Sequence, residues 1–116
     1  MSIIRVPGSA KGRVRAVNHA GTVFAVATAS SSSTSVSEQT RLTLAALDRN
    51  LEDAGSDKTR IVQATVYLAN MASKAEMDAV WCEWIGPEEN WPQRACVGVD
   101  LAGDDLVEIV VQAVAK

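Results

Sequence analysis

The stretch Leu106-Val107-Glu108-Ile109-Val110-Val111-Gln112-Ala113-Val114-Ala115 decides the architecture. A strand turns successive side chains to opposite faces, so one side carries Leu106, Glu108, Val110, Gln112 and Val114. The other carries Val107, Ile109, Val111, Ala113 and Ala115. Neither side is polar enough to be simply solvated. Helices of the same chain can cover one face, and the second face calls for another subunit.

Upstream, Gln93 to Leu101 reads as a further strand, joined to the last one through the turn Ala102-Gly103-Asp104-Asp105. Before it, Met77, Val80, Trp81 and Trp84 recur at the spacing of a buried helical stripe, with Ser73 as the expected cap and Gly86-Pro87 as the stop. Arg60 to Ala69 alternates as a strand, with Val62, Ala64, Val66 and Leu68 on its apolar face. A longer helix is expected over about 36–54, where Val36, Thr40, Leu44, Leu47 and Leu51 share one face and Gly55 supplies the left-handed stop. Ser30 to Ser35 forms a polar loop ending in residues suited to N-capping. Arg13 to His19 and Thr22 to Thr28 form a hairpin about Ala20-Gly21. The order predicts an α+β fold, with two helices on one face of a single sheet.

The chain has 116 residues, which suits one domain over 1–116. No apolar run approaches the length that spans a bilayer, so no integral membrane segment is expected. The first residues lack the pattern of a secretory signal, which makes a cytoplasmic location the expectation. A net charge of −3 argues against general nucleic-acid binding, and the basic cluster Lys11, Arg13, Arg15 is too short to reverse that. Cys82 and Cys96 lie far apart, with His19 as the single histidine, so neither a disulfide nor a metal site is expected.

Several residues are candidates for chemistry. Arg94, just after the Trp91-Pro92-Gln93 corner, shares a strand face with Cys96, Gly98 and Asp100. Its permanently charged guanidinium wants a planar partner, either a protein carboxylate such as Glu108 or Asp100 or the carboxylate of a ligand. Glu108 stands alone in an apolar run, where a carboxylate pairs with a cation, titrates high through desolvation, or anchors a backbone N–H in a subunit seam. Cys96 suits a small buried filler better than a nucleophile, because no base lies near it in sequence. His19 suits an exposed turn residue, and the tryptophan stripe suits core. Arg13 and Arg15 share a strand face that either meets solvent or lines a pocket; Arg15 is kept as a candidate substrate-binding residue.

Taken together, Gln39-Thr40-Arg41, Glu52-Asp53-Ala54-Gly55-Ser56, Ala64-Thr65-Val66-Tyr67-Leu68, Arg94-Ala95-Cys96-Val97 and Leu106-Val107-Glu108-Ile109 resemble the Rid (YjgF-like) family in order and spacing. The resemblance spans roughly Gln39 to Ala115. It implies a chorismate-mutase-like α+β fold assembled as a homotrimer, with pockets at subunit interfaces. It also implies deamination of small enamines and imines, a reaction easy enough that orientation and one proton acceptor suffice and no metal or cofactor is expected. In that case Arg94 clamps the substrate carboxylate, Glu108 helps hold the attacking water, and the backbone near Cys96 lines the same pocket, which makes Cys96 a substrate-binding candidate. The N-terminal third departs from the best-known deaminase branch: Val14 stands where that branch has a pocket tyrosine, Val26-Ala27-Thr28 where it has Ser-Gly-Gln, and Asp78 where it has asparagine. The segment Met77 to Trp84 is closer to the branch resembling YoaB. These departures keep open a second possibility, a non-catalytic trimer that binds small carboxylates or a protein partner.

Overall fold

The computed structural model describes residues 2–116. Among these, six strands form one sheet and two α-helices pack on it. The strands are β1 (Ile3–Val6), β2 (Ala16–His19), β3 (Thr22–Thr28), β4 (Ile61–Leu68), β5 (Gln93–Gly98) and β6 (Val107–Val114). The helices are α1 (Val36–Asp53) and α2 (Lys74–Ile85). Spatial order is β1-β2-β3-β6-β4-β5. β4 and β5 run parallel, while the other neighbouring pairs are antiparallel, so the sheet is mixed.

Both helices cover the face that presents Val23, Ala25, Ala27, Ala64, Val66, Val107, Ile109 and Val111, and the core lies between. From α1, Leu44, Leu47 and Leu51 enter that core. From α2 come Met77, Val80, Trp81 and Ile85. The expected start of α1 holds: Ser35 is extended and its side chain accepts from the Glu38 N–H at 3.1 Å, while Gly55 takes φ +90° just beyond the end. The hairpin turn holds as well, since Ala20 and Gly21 both take positive φ, which a two-residue turn of type I′ requires.

Four expectations need correction. Ile3–Val6 is a strand that the sequence pattern did not reveal, and β2 begins only at Ala16, not Arg13. Val62 is exposed while Ile61 is buried, because a bulge sets Ile61 and Gln63 against the consecutive residues Ala113 and Gln112 and shifts the alternation by one. Ser73 makes no cap hydrogen bond. The chain enters α2 through a 3-10 turn, Met71–Ser73, capped by Asn70, whose Oδ1 accepts from the Ala72 N–H at 3.0 Å. Finally, the strand after Trp91 ends at Gly98, and the two last strands are not neighbours despite the turn that joins them: β6 inserts between β3 and β4, and β5 is left at the edge. A helical crossover forces this arrangement, because a strand returning through α2 pairs parallel beside β4.

Among the described residues, nothing covers the opposite face of the sheet. Phe24, Val97, Val110 and Val114 stand on it between 39% and 45% exposed.

Candidate functional site

Registers locate the candidate residues. Arg94 pairs with Ala64 and Cys96 with Val66, so both point to the helix-covered side of the sheet. Glu108 lies between Thr28 on β3 and Tyr67 on β4, which puts it on the uncovered side. Arg94 and Glu108 thus occupy opposite faces of one chain. A ligand bound by a single copy could not touch both.

The Arg94 surroundings are built mainly by α2. Arg94 Nη2 donates to Asp78 Oδ1 at 2.6 Å. Its Nη1 faces Met77 Sδ at 3.7 Å, and the guanidinium carbon lies 5.2 Å from the centre of the Trp81 ring. Lys74, Met77, Asp78 and Trp81 reach the same spot because residues three and four apart on a helix are neighbours on its surface. Asp78 Oδ2 accepts from Lys74 Nζ at 2.7 Å, an i, i+4 pair. Burial pushes the Asp78 carboxyl up, but the hydrogen bonds and charges of Lys74 and Arg94 outweigh it, and its pKa falls below the ordinary 3.8. The protein carboxylate that meets Arg94 is therefore Asp78, not the expected Glu108 or Asp100. Cys96 is a half-buried free thiol beside this cluster. His19 sits on β2, beyond three intervening strands, so the thiol has no imidazole to activate it.

Arg15 is held by the fold. Its Nε donates to the Pro7 carbonyl at 2.9 Å, Nη1 to Asn50 Oδ1 and Nη2 to Asp53 Oδ2 at 2.9 Å. Asn50 in turn donates to the Val26 carbonyl at 2.8 Å, so Arg15 ties the β1–β2 connection to α1 and β3. Arg15 also borders a hollow of about 290 Å³ over the uncovered face, shared with Val14, Val17, Phe24, Thr65 and Val110. A second hollow of about 400 Å³ opens between the serine-rich loop (Ser32, Ser33, Thr34) and the turn before β6 (Asp100, Asp104, Asp105). Arg94, Cys96 and Glu108 line neither.

The two loops at that second hollow are joined by Gln39, which is fully buried. Its Nε2 donates to the carbonyls of Ser33 at 2.7 Å and Asp104 at 2.9 Å, and its Oε1 accepts from the Leu106 N–H at 2.9 Å. Gln39 thereby sets where β6 begins, two residues before Glu108. In the sequence Gln39 stands out only as part of the Gln39-Thr40-Arg41 motif. A glutamine on the apolar side of α1 was the available signal, since buried amides need partners.

Among the described residues, no group of three or more His, Cys, Asp or Glu side chains is arranged to hold a metal ion. Nor, among them, is any helix long and apolar enough to cross a membrane.

The chain matches a family model described as Endoribonuclease L-PSP over residues 8–115. It is 46% identical over 77 residues, 66% of its length, to a RutC family protein of Haemophilus ducreyi, and the match spans 65% of that relative. With the RutC family protein YoaB of Escherichia coli it shares 33% identity over 85 residues, covering 73% of this chain and 74% of YoaB. Among solved structures, a YjgF-family protein from Neisseria meningitidis superposes with a TM-score of 0.92 at 35% identity, covering 100% of this chain and 97% of the other.

Proposed function

This chain belongs to the YjgF/RutC/Rid family, and from that premise we propose that it hydrolyses small reactive enamines and imines, the 2-imino acids, to keto acids and ammonia in the cytoplasm. The observation that carries the reading is Arg94. Its side chain is 18% exposed, lies over Trp81, and among the described residues gives one of its five N–H donors to a protein oxygen. Donors remain for the carboxylate of a small acid.

In this mechanism the enamine first tautomerises to the imine, whose protonated form is the electrophile. Arg94 holds the carboxylate and fixes the angle of the C=N bond. A water bound by Glu108 attacks the iminium carbon while Glu108 takes its proton. The proton then passes to nitrogen, the C–N bond breaks as the new hydroxyl gives its own proton to Glu108, and the departing ammonia takes that proton, so that ammonium and the 2-oxo acid leave; one water is consumed for each C=N bond. Orientation and one proton acceptor suffice for so reactive a substrate. Arg15 gives three of its five N–H donors to oxygens of the fold, against one for Arg94, which favours Arg94 for carboxylate recognition.

Because Arg94 and Glu108 lie on opposite faces of one sheet, the reading requires a second copy to complete the pocket. The uncovered apolar face supplies the reason to associate, and a homotrimer with pockets at its interfaces is part of the proposal. An RNA substrate is disfavoured by the net charge of −3 and the shortness of the basic cluster at Lys11 to Arg15.

A second reading, a non-catalytic trimer that binds small carboxylates, is favoured by Val14 in the hollow and by Asp78 against Arg94. Turnover decides between them. Freshly generated 2-aminoacrylate should yield pyruvate and ammonia faster with the protein than without it, and Arg94→Ala should abolish the acceleration. No acceleration by the folded wild type would leave the binder. Sedimentation should give a trimer, and a stable monomer at micromolar concentration would refute the shared pocket.

A further inference from the structure

Asp78 bridges two cations: one oxygen accepts from Arg94 and the other from Lys74. The cluster is not sealed, since the Asp78 side chain is 31% exposed. Each carboxylate oxygen accepts one of these bonds, so Asp78 keeps lone pairs for a further donor without releasing either cation. Among the described residues no oxygen accepts from Arg94 Nε or Nη1. An incoming carboxylate that uses those donors arrives beside Asp78.

Two carboxylates around one guanidinium repel each other at this range in a partly desolvated setting. A ligand that carries a cationic nitrogen next to its carboxylate escapes the penalty, because the nitrogen can meet Asp78 while the carboxylate meets Arg94.

We infer that Asp78 is a specificity-determining residue of the Arg94 site, selecting zwitterions, in which an ammonium or iminium stands beside the carboxylate, over simple carboxylate anions. The inference rests on the assignment of Arg94 as the carboxylate clamp and narrows its substrate class to the protonated imino acid. It also gives the product a reason to leave. Hydrolysis replaces the cationic C=N group by a neutral carbonyl, and the resulting 2-oxo acid faces Asp78 without the cationic nitrogen that had offset the repulsion.

Alanine and pyruvate test this, because they share a carbon skeleton and differ in the nitrogen. The wild type should bind alanine more tightly than pyruvate in calorimetric or NMR titration. Asp78→Asn, which keeps size and removes charge, should shift the affinity ratio toward pyruvate by about tenfold or more, equivalent to about 1.4 kcal/mol. Asp78→Ser should move it in the same direction, and thermal melting checks that both variants fold. An unchanged ratio, a shift toward alanine, or no binding of either ligand by any of the three proteins overturns the inference. Turnover of 2-aminoacrylate on the same preparations keeps the two ideas separate. A shifted ratio without any turnover defeats the deaminase reading and leaves the selectivity standing, whereas turnover with an unmoved ratio defeats the selectivity alone.

Discussion

Arg94 and Asp78 are joined by a 2.6 Å hydrogen-bonded ion pair from the edge strand to the second helix, with the guanidinium lying over Trp81. The pair fixes the orientation of a cation that gives no other donor to an oxygen among the described residues. Geometry at Arg94 therefore matters as much as charge.

Arg94→Lys should be nearly as damaging as Arg94→Ala on a 2-imino acid. A lysine ammonium keeps the charge but cannot offer two parallel N–H bonds to one carboxylate while also holding Asp78. Misplacing the substrate by about 1 Å can cost on the order of a hundredfold in rate. Steady-state kcat/KM for both variants checks this, with thermal melting as the folding control. Near wild-type turnover by Arg94→Lys would rule out the bidentate clamp.

The same pair should appear in acid unfolding. Asp78 titrates lower when folded than its ordinary 3.8, so below that value the unfolded chain binds more protons. The stability it contributes is present above the unfolded pKa and is lost as pH falls through the folded one. Wild type should exceed Asp78→Asn by roughly 1 kcal/mol near neutral pH, the upper end for a partly exposed pair. Urea titrations across the acid range should show the gap closing toward zero; a gap that widens on acidification would contradict the assigned direction.

Gln39→Leu should destabilise the protein by about 3 kcal/mol. Leucine is similar in size but leaves the Leu106 N–H and the Ser33 and Asp104 carbonyls without their buried partner. Chemical denaturation gives the magnitude, and faster amide exchange at Leu106 would locate the loss. A variant as stable as wild type would mean that those groups reach water.

Thr43→Val should act in the opposite direction. The Thr43 hydroxyl is buried and has no hydrogen-bond partner among the described residues. Valine keeps the shape and the β-branching while removing the unsatisfied group, so a gain of about 1 kcal/mol is expected. Equilibrium unfolding in urea measures it, and a loss of stability would show that the hydroxyl is bonded after all.

Local patterns carried most of the secondary structure. The apolar spacing of α1, its cap at Ser35 and its stop at Gly55 are properties of a few neighbouring residues, and they held in three dimensions. So did the Ala20-Gly21 turn and the alternation of β6. The strand Ile3–Val6 escaped because its short Ile-Ile-Arg-Val run carries no alternating pattern, and it is defined by pairing with β2. Val62 was misplaced because one bulged residue reverses the faces of everything before it.

The site was legible in its residues and not in its partners. Arg94, Cys96 and Glu108 stand out in the chain because charged or reactive groups inside apolar strands need a physical justification. Which groups answer that need depends on strand order. Placing β6 between β3 and β4 sets Glu108 beside Thr28 and Tyr67 on the open face, and the α2 crossover brings Asp78 to Arg94 on the other. Pairings between residues 16 or more positions apart leave no trace in local periodicity, because the chain between them fixes only how far apart they can lie. Hydrophobic alternation could say that the sheet has two apolar faces, but only the packed structure decided which face the helices cover and, with it, which charge meets which.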